Sequence, residues 1–567
     1  MTTDVDYSKA FTTVALLLLA MLTVPGALAS PSAVTFVVNS ILDQADDLAV
    51  FGTCHTADNT CTLRAAVMQA NRAGGDSTIM LPSGTYTLSI PAAGANGEEN
   101  GDLNLTTPAS GNPVITITGA GAGTTIIDAN VLDRVFHVHP GRAATVSGVT
   151  IRNGFIAGAT AVGGGIYNEG SLTVRDTVIT ANHSAAAGGG ISNNNSMTVL
   201  NSTISLNLAD VSGGGIHNSA TLTVTNSTLR QNNAGTNGGG ITNYGSMEVS
   251  KSTISGNGAY DGGGIYNGLV QTVSNSTLSQ NSAKNNGGGI YNNFGTTSVY
   301  NTSIVFNGAD ADADFAGGAG GVFNNDTFAA TFNLRNTLVA GNNVSNSPTY
   351  DDCKGTLSSL ARNLFWVVNG CTINNVSGGM WTNLNSLSTV GPLQNNGGPT
   401  MTHALLGGSN AIDGGDPALG CVGPSTPLVT DQRGIPRVVG VRCDIGAFEY
   451  SGMGIDIDGN QNYEAPTDGL LILRYLFGVT GPSLTGGAIG TMPTRSTPTE
   501  VAQYMDYIRP LLDVDGNGNA DALTDGLMLI RYLAGLRGTS LISGAIATGA
   551  ARMTAEQIEA YIQLLMP

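Results

Sequence analysis

Two short stretches near the carboxyl end carry the densest array of metal-type ligands in the chain. "DIDGNQNYEAPTD" runs from Asp456 to Asp468 and "DVDGNGNADALTD" from Asp513 to Asp525, 57 residues further on. In the first, Asp456, Asp458, Asn460, the backbone at Asn462, Glu464 and Asp468 place oxygens at positions 1, 3, 5, 7, 9 and 13, and Asp513, Asp515, Asn517, Asn519, Asp521 and Asp525 repeat the set. Hard oxygens on a short loop ahead of an amphipathic helix suit Ca2+, which accepts roughly six to eight of them with loose geometry. The four carboxylates of each loop repel one another unless a cation sits among them. A merely acidic loop would not be copied ligand for ligand. Gly518 gives the second loop a position-6 glycine where the first has Gln461, so the second reads as the better-formed site. Helices are expected to begin near Leu470 and Leu527.

Spacing that could do catalysis is thinner. In "GADADADFAGG", Asp310, Asp312 and Asp314 alternate and would share one face of an extended strand, able to bind a cation or act as a base toward a uronate. An acidic solvated loop is the preferred reading of the same residues. His137 and His139 also stand at i, i+2, and with no third ligand near in sequence they read as strand-surface histidines. Asp351 and Asp352 are adjacent but stand beside Cys353 without the companions of a glycosidase motif. "RGIPR", Arg433 to Arg437, has the outline of a lyase arginine motif yet lies inside a terminal signature described below.

The elements that must position these residues are repeats. Gly triplets begin at residues 163, 188, 213, 238, 262 and 287, a period of 25 with one step of 24, which marks a solenoid. Apolar positions recur in register: a column from Ile166 to Ile290, a second from Val174 to Val273, and a third from Ile179 to Leu278. They sit in short alternating segments rich in β-branched residues, so each unit is strands, and the three inward columns suggest three walls. Stacked turns then pair in parallel about 4.8 Å apart. Two polar columns, Asn168 to Asn292 and Asn182 to Asn307, are expected to form amide ladders at the corners. The acids Glu169, Asp176, Asp210, Glu248 and Asp261 share no column, so no stacked carboxylate pair of the glycosidase kind is expected.

Composition agrees with a solenoid: 79 glycines and only 11% charged residues in 567 leave a surface of Asn, Ser, Thr and Gly. A net charge of −18 argues against nucleic acid or anionic membrane as partner. The apolar run from Val14 to Val24 and the small residues Ala27 and Ala29 predict a cleaved secretory signal over 1–29, with no transmembrane span after it. Six cysteines in an exported chain read as disulfides, and nearest-neighbour pairing gives Cys54 with Cys61, Cys353 with Cys371, and Cys421 with Cys443.

Several motifs resemble known families. The "GGGIxN" and "STIxxN" pattern is similar to the right-handed β-helix repeats of polymorphic outer-membrane-type surface proteins. "CTLRAAVMQAN", Cys61 to Asn71, resembles the CSLREA-type segment that opens many bacterial exported β-helix proteins. "DQRGIPR" and "CDIGAFEY", Asp431 to Arg437 and Cys443 to Tyr450, resemble the end of the choice-of-anchor β-helix family. The two acidic loops resemble the EF-hand-like loops of dockerins, although the last acid stands at position 13 instead of 12 and the 57-residue spacing is wider. That resemblance implies a cohesin-like partner, which the wider spacing leaves open. The expected organisation is a signal over 1–29, an N-terminal cap and entry strands over 30–110, β-helix repeats over 111–345, terminal turns and cap over 346–450, and a duplicated dockerin-like module over 451–567. The fold class expected is an all-β right-handed parallel β-helix followed by a small α-helical calcium-loop module. The function expected is a secreted or cell-surface protein that binds an extracellular glycan or surface protein; the alternative is a polysaccharide lyase or glycoside hydrolase acting on an acidic polysaccharide.

Overall fold

Each repeat lays down four short strands. In the turn that opens at Gly188 they are Ile191–Asn193, Ser196–Leu200, Thr203–Ser205 and Leu208–Ala209. The computed structural model describes residues 33–566 apart from 49–50, 94–96, 108–112, 312–316, 346–350, 376–380, 407, 417–419, 425–426, 438–441, 451–453 and 461, so the expected signal, Asp312, Asp314 and Gln461 lie outside the described residues. Repeat strands pair in parallel with their equivalents one turn away, as Ile216 does with Ile191 and Ile241, and the chain is a parallel β-helix.

The pairing makes three sheets, of 22, 12 and 8 strands, the largest taking two strands from each turn. The Ile and Val columns both point inward from this main sheet, and the Ile179 column points inward from the second sheet. Two of the three columns therefore share one wall. The third wall carries a column of small residues, among them Ala209, Ala259 and Ala283, which the apolar reading passed over. Ile191, Val199 and Ile204 all have 0% exposure, so the columns are the core.

Both amide ladders form. Asn193 Nδ2 donates to Asn218 Oδ1 at 2.7 Å, and Asn207 Nδ2 to Asn232 Oδ1 at 2.9 Å, with the same step repeated along each file. The glycine triplets serve this packing. Gly213 has φ +68, and a Cβ on Gly215 would lie 2.6 Å from the carbonyl oxygen of Gly240 on the next turn.

The amino-terminal end is closed by α1, Leu63–Arg72, formed by the "CTLRAAVMQAN" stretch and capped by the Thr62 side chain. Arg64, 1% exposed, grips both oxygens of Asp43 and the carbonyls of Gly101 and Asp102. At the other end, the described residues between 384 and 450 form a strap that runs back along the flank and covers the outer face of the second sheet. Met401 O accepts from Thr253 Oγ1, Gln432 Oε1 from Thr277 Oγ1, and Val422 O from Asn301 Nδ2. Phe448, Ile445 and Leu405 pack on Val305, Leu338 and Leu364 beneath.

Cys54–Cys61 and Cys353–Cys371 are disulfides. The third expected bridge is absent: Cys421 and Cys443 are buried thiols. They hydrogen-bond to each other, so the strap brings the pair together while packing, not a covalent bond, holds it.

Residues 455–566 build a separate core in which Ile457, Leu471, Met528 and Ile558 meet. Its main helices are α2 (Leu470–Leu476), α3 (Pro498–Ile508), α4 (Leu527–Leu533) and α5 (Ala555–Leu564). The starts of α2 and α4 fall where the sequence places them. No helix among the described residues is long and apolar enough to cross a membrane.

Candidate metal centres and the outer face of the β-helix

Each acidic loop is wrapped around its own first carboxylate. Asp456 Oδ1 accepts from the amides of Gly459 (2.8 Å) and Asn460 (3.1 Å), and Asp513 Oδ1 accepts from Gly516 (2.8 Å) and Asn517 (3.1 Å). Position-4 glycines make the bend, with φ +72 at Gly459 and +75 at Gly516. Asn460 Oδ1 accepts from the Asn462 amide and Asn517 Oδ1 from the Asn519 amide, which tightens positions 5 to 7.

The displacement of the last acid to position 13 has a local cause. Both loops enter their helix through a π-helical turn, Ala465–Gly469 and Ala522–Gly526, in which Gly469 N donates to Glu464 O (3.1 Å) and Gly526 N to Asp521 O (3.0 Å). A π turn takes up one extra residue, and the carboxylate it carries comes back to the loop. Asp456, Asp458 and Asp468 each offer an oxygen, all within 4.8 Å of one another, and Asp513, Asp515 and Asp525 do the same. Asp468 and Asp525 are fully buried, and burial pushes both above the usual carboxylate range, against hydrogen bonds from the Glu464 and Asp521 amides respectively. The position-9 acids Glu464 and Asp521 are not among the converging groups.

Three converging carboxylates, two of them without solvent exposure, leave like charges in a poorly hydrated place, and the donor set is all oxygen. That arrangement fits a hard divalent cation, and the amide oxygens at positions 5 and 7 fit Ca2+. Sequence reasoning missed the arginines behind the loops. Arg495 donates to the carbonyls of Asp456 (2.6 Å) and Ile457 (2.9 Å) with its guanidinium over the Tyr504 ring; Arg552 does so to Asp513 and Val514 (both 2.6 Å) over Tyr561. The remote amides of Gly490 and Ala547 close on Asp458 Oδ2 (2.6 Å) and Asp515 Oδ2 (2.8 Å). The signal was present, since each of these pairs is also 57 residues apart.

The weaker candidates fare differently. Asp310 follows the strand Gly308–Ala309 in a left-handed conformation (φ +53) and is only 1% exposed, buried where Gly317 packs close to it and not on a solvated face. Asp352 ends an Asn ladder: its Oδ1 accepts from Asn342 Nδ2 at 2.8 Å, and its Oδ2 from the amides of Trp366 and Val367. The "RGIPR" arginines are interior. Arg433 pairs with Asp431 and lies over Phe448, and Arg437 reaches Glu449 and Asn275, with 1% and 0% side-chain exposure. Neither can meet a polymer. Asp444, in the same clasp, is pushed up to about 8 by burial and by Glu449.

On the outside of the main sheet, tyrosines and histidines stand in file. Tyr266 and Tyr291 rings lie 5.4 Å apart, Tyr291 and Phe323 5.1 Å, and the phenol oxygens of Tyr266 and Tyr291 accept from Asn293 and Asn325. Beside this file a ridge is open to solvent: Tyr244 (37%), Phe294 (48%) and Phe328 (56%), with Leu269 and Val270 between. His137 and His139 belong to the amino-terminal end of the same face. They are not isolated surface histidines, because Glu169 Oε2 lies 2.9 Å from His137 Nε2.

No family model matches the chain. No curated protein matches it either. Among solved structures, a crystal structure of pectate lyase Pel9A is similar over 74% of this chain and 98% of its own, at 14% identity and a TM-score of 0.38, a likeness too distant to speak to activity.

Proposed function

We propose that this is an exported β-helix protein that holds an extended glycan along the outer face of its main sheet and attaches through a Ca2+-organised C-terminal module to a surface partner. The carrying observation is the exposed ridge of Tyr244, Phe294 and Phe328 on turns of a stack, beside a row of Asn amides. Aromatic faces take up the apolar faces of sugar rings, and amides bond to the hydroxyls at their edges. A row repeated along the stack suits a polymer more than a small ligand. The face is distant in sequence from the acidic loops, which supports separate binding and attachment roles. The test is depletion of the full-length protein by insoluble polysaccharides. The wild type is expected to be retained, and a Tyr244→Ala, Phe294→Ala, Phe328→Ala variant to stay in solution; equal retention of the two would defeat the reading.

A further inference from the structure

The amino-terminal end of this face brings together side chains that sequence keeps apart. Asn104, His137 and Tyr167 are register partners on successive turns, and His139 and Glu169 follow two residues on, so they share the outward side. Their contacts close a ring. Asn104 donates to Asp102 (2.8 Å) and bonds His139 Nε2 (2.6 Å); the His139 ring stacks on His137 at 3.8 Å; His137 bonds Glu169; Tyr167 also hydrogen-bonds Glu169; Arg134 lies 5.4 Å over the Tyr167 ring and pairs with Asp102 at 3.3 Å.

We infer that Arg134, His137, His139, Tyr167 and Glu169 form a saccharide subsite that excludes anionic sugar units. The inference rests on the proposal that this face binds glycan, and it adds the class of glycan and the residues that choose it. The mixture of groups is the first argument. Glu169 only accepts, Arg134 only donates, and Tyr167 does both, so hydroxyls, which donate and accept, can be matched within one small area. Glu169 keeps 30% of its side chain exposed while His137 holds it in place. For Glu169, burial acts upward, but the hydrogen bonds from His137 and Tyr167 outweigh it and leave the carboxyl below its usual range. Burial pulls His137 down to about 4 and lowers His139, so both imidazoles are neutral near pH 7 and donate from Nε2 to their acceptors.

Charge is the second argument. With both histidines neutral, Arg134 is the cation of the ring, and Asp102 already faces it. Glu169 is within the ring, Asp133 acts on Asp102, and Glu98 acts on His139. A uronate or sulfated unit would meet net negative charge. A unit without negative charge escapes that penalty. Continuity is the third: backbone bonds place Asn194, Ser219 and Tyr244 after Glu169 on consecutive turns, so a chain bound at the ring runs to the aromatic ridge three turns on, about 14 Å at the strand spacing.

The test is calorimetric titration of the full-length protein with neutral cello-, manno- and galacto-oligosaccharides and with polygalacturonate. A neutral series is expected to bind, and polygalacturonate is not. Glu169→Gln and Tyr167→Phe should each weaken that binding, Glu169→Gln by about tenfold as a charge-assisted hydrogen bond is lost, with thermal melting unchanged. If the ridge variant abolishes binding while Glu169→Gln and Tyr167→Phe leave it intact, the subsite is wrong and the glycan face stands. Uptake of polygalacturonate in place of neutral oligomers overturns the selectivity. Failure of the wild type to bind any glycan removes the face itself.

Discussion

The β-helix and the C-terminal module both bury polar side chains, and they satisfy them by opposite means. In the repeats each Asn of the two ladders finds its partner on the next turn, as Asn232 does when its backbone N and its Nδ2 both donate to Asn257 Oδ1 at 2.9 and 3.0 Å. Partner supply is automatic, because every turn repeats the last. The module has two loops and no stack. Its buried carboxylates Asp458, Asp468, Asp515 and Asp525 accept from local amides yet still converge on one another. A long repeat satisfies polarity from within, whereas a small module that gathers charge leaves a balance that the proposed Ca2+ would supply.

The contrast can be broken most severely in the stack. Ile216, with 0% exposure, faces Ile191 and Ile241. Ile216→Asp puts an unpaired charge among them and is expected to destabilise the repeats by about 4 kcal/mol or more; an unchanged denaturant midpoint would refute the inward assignment. Removing a ladder partner is milder because one turn is affected. Asn257→Ala leaves two donors of Asn232 without their acceptor, for a loss of about 2–3 kcal/mol, read in the same denaturation.

In the module the expected changes come from metal. Ca2+ at about a hundred times its dissociation constant should stabilise the module by about 2.7 kcal/mol for each site filled, seen as an upward shift of its transition in calorimetry of the full chain and reversed by chelator. Mg2+ should act more weakly, since it holds its water and needs a stricter geometry. Asp513→Ala with Asp515→Ala should remove most of the shift, and no Ca2+ uptake by the wild type at millimolar metal would end the assignment. The finest distinction is between the two loops. Gly518 (φ +93) donates from its amide to Asp513 Oδ2 at 2.8 Å. Alanine keeps this amide but is strained at a left-handed φ by roughly 1–2 kcal/mol, so Gly518→Ala should weaken the second site by about that amount, and titration showing no change would remove the reason to rank it above the first.

Much of this architecture was legible because it repeats. The Ile, Val and Asn columns are written once per turn, and a period of 25 aligns them without a structure. The 57-residue copy exposed the acidic loops in the same way. The one-residue excess in those loops was visible, but not its remedy: a π turn is a matter of hydrogen-bond register and has no composition of its own. The third disulfide was overread, since close spacing of Cys421 and Cys443 says that they meet and not that they bond. Asp310 was expected in a solvated loop and is buried instead, and the shared face of an extended segment does not arise there because the backbone turns left-handed.

What the sequence determined by itself is therefore what is local or periodic: the stacked strands, their inward columns, the amide ladders, the ligand order of the loops and the starts of their helices. Only the tertiary structure decided which unlike turns become neighbours. It set Glu169 against His137 from 32 residues away, Arg495 behind Asp456 from 39, and the strap's Gln432 against Thr253 from 179. The first and last of these contacts join segments that share no period, and nothing in the spacing of one announces the other; the second recurs in the 57-residue copy as Arg552 behind Asp513, but the copy shows only that both contacts exist together and not what either arginine touches. The first and last exist because the coil brings irregular segments to the same flank, where burial and hydrogen bonding then select their partners.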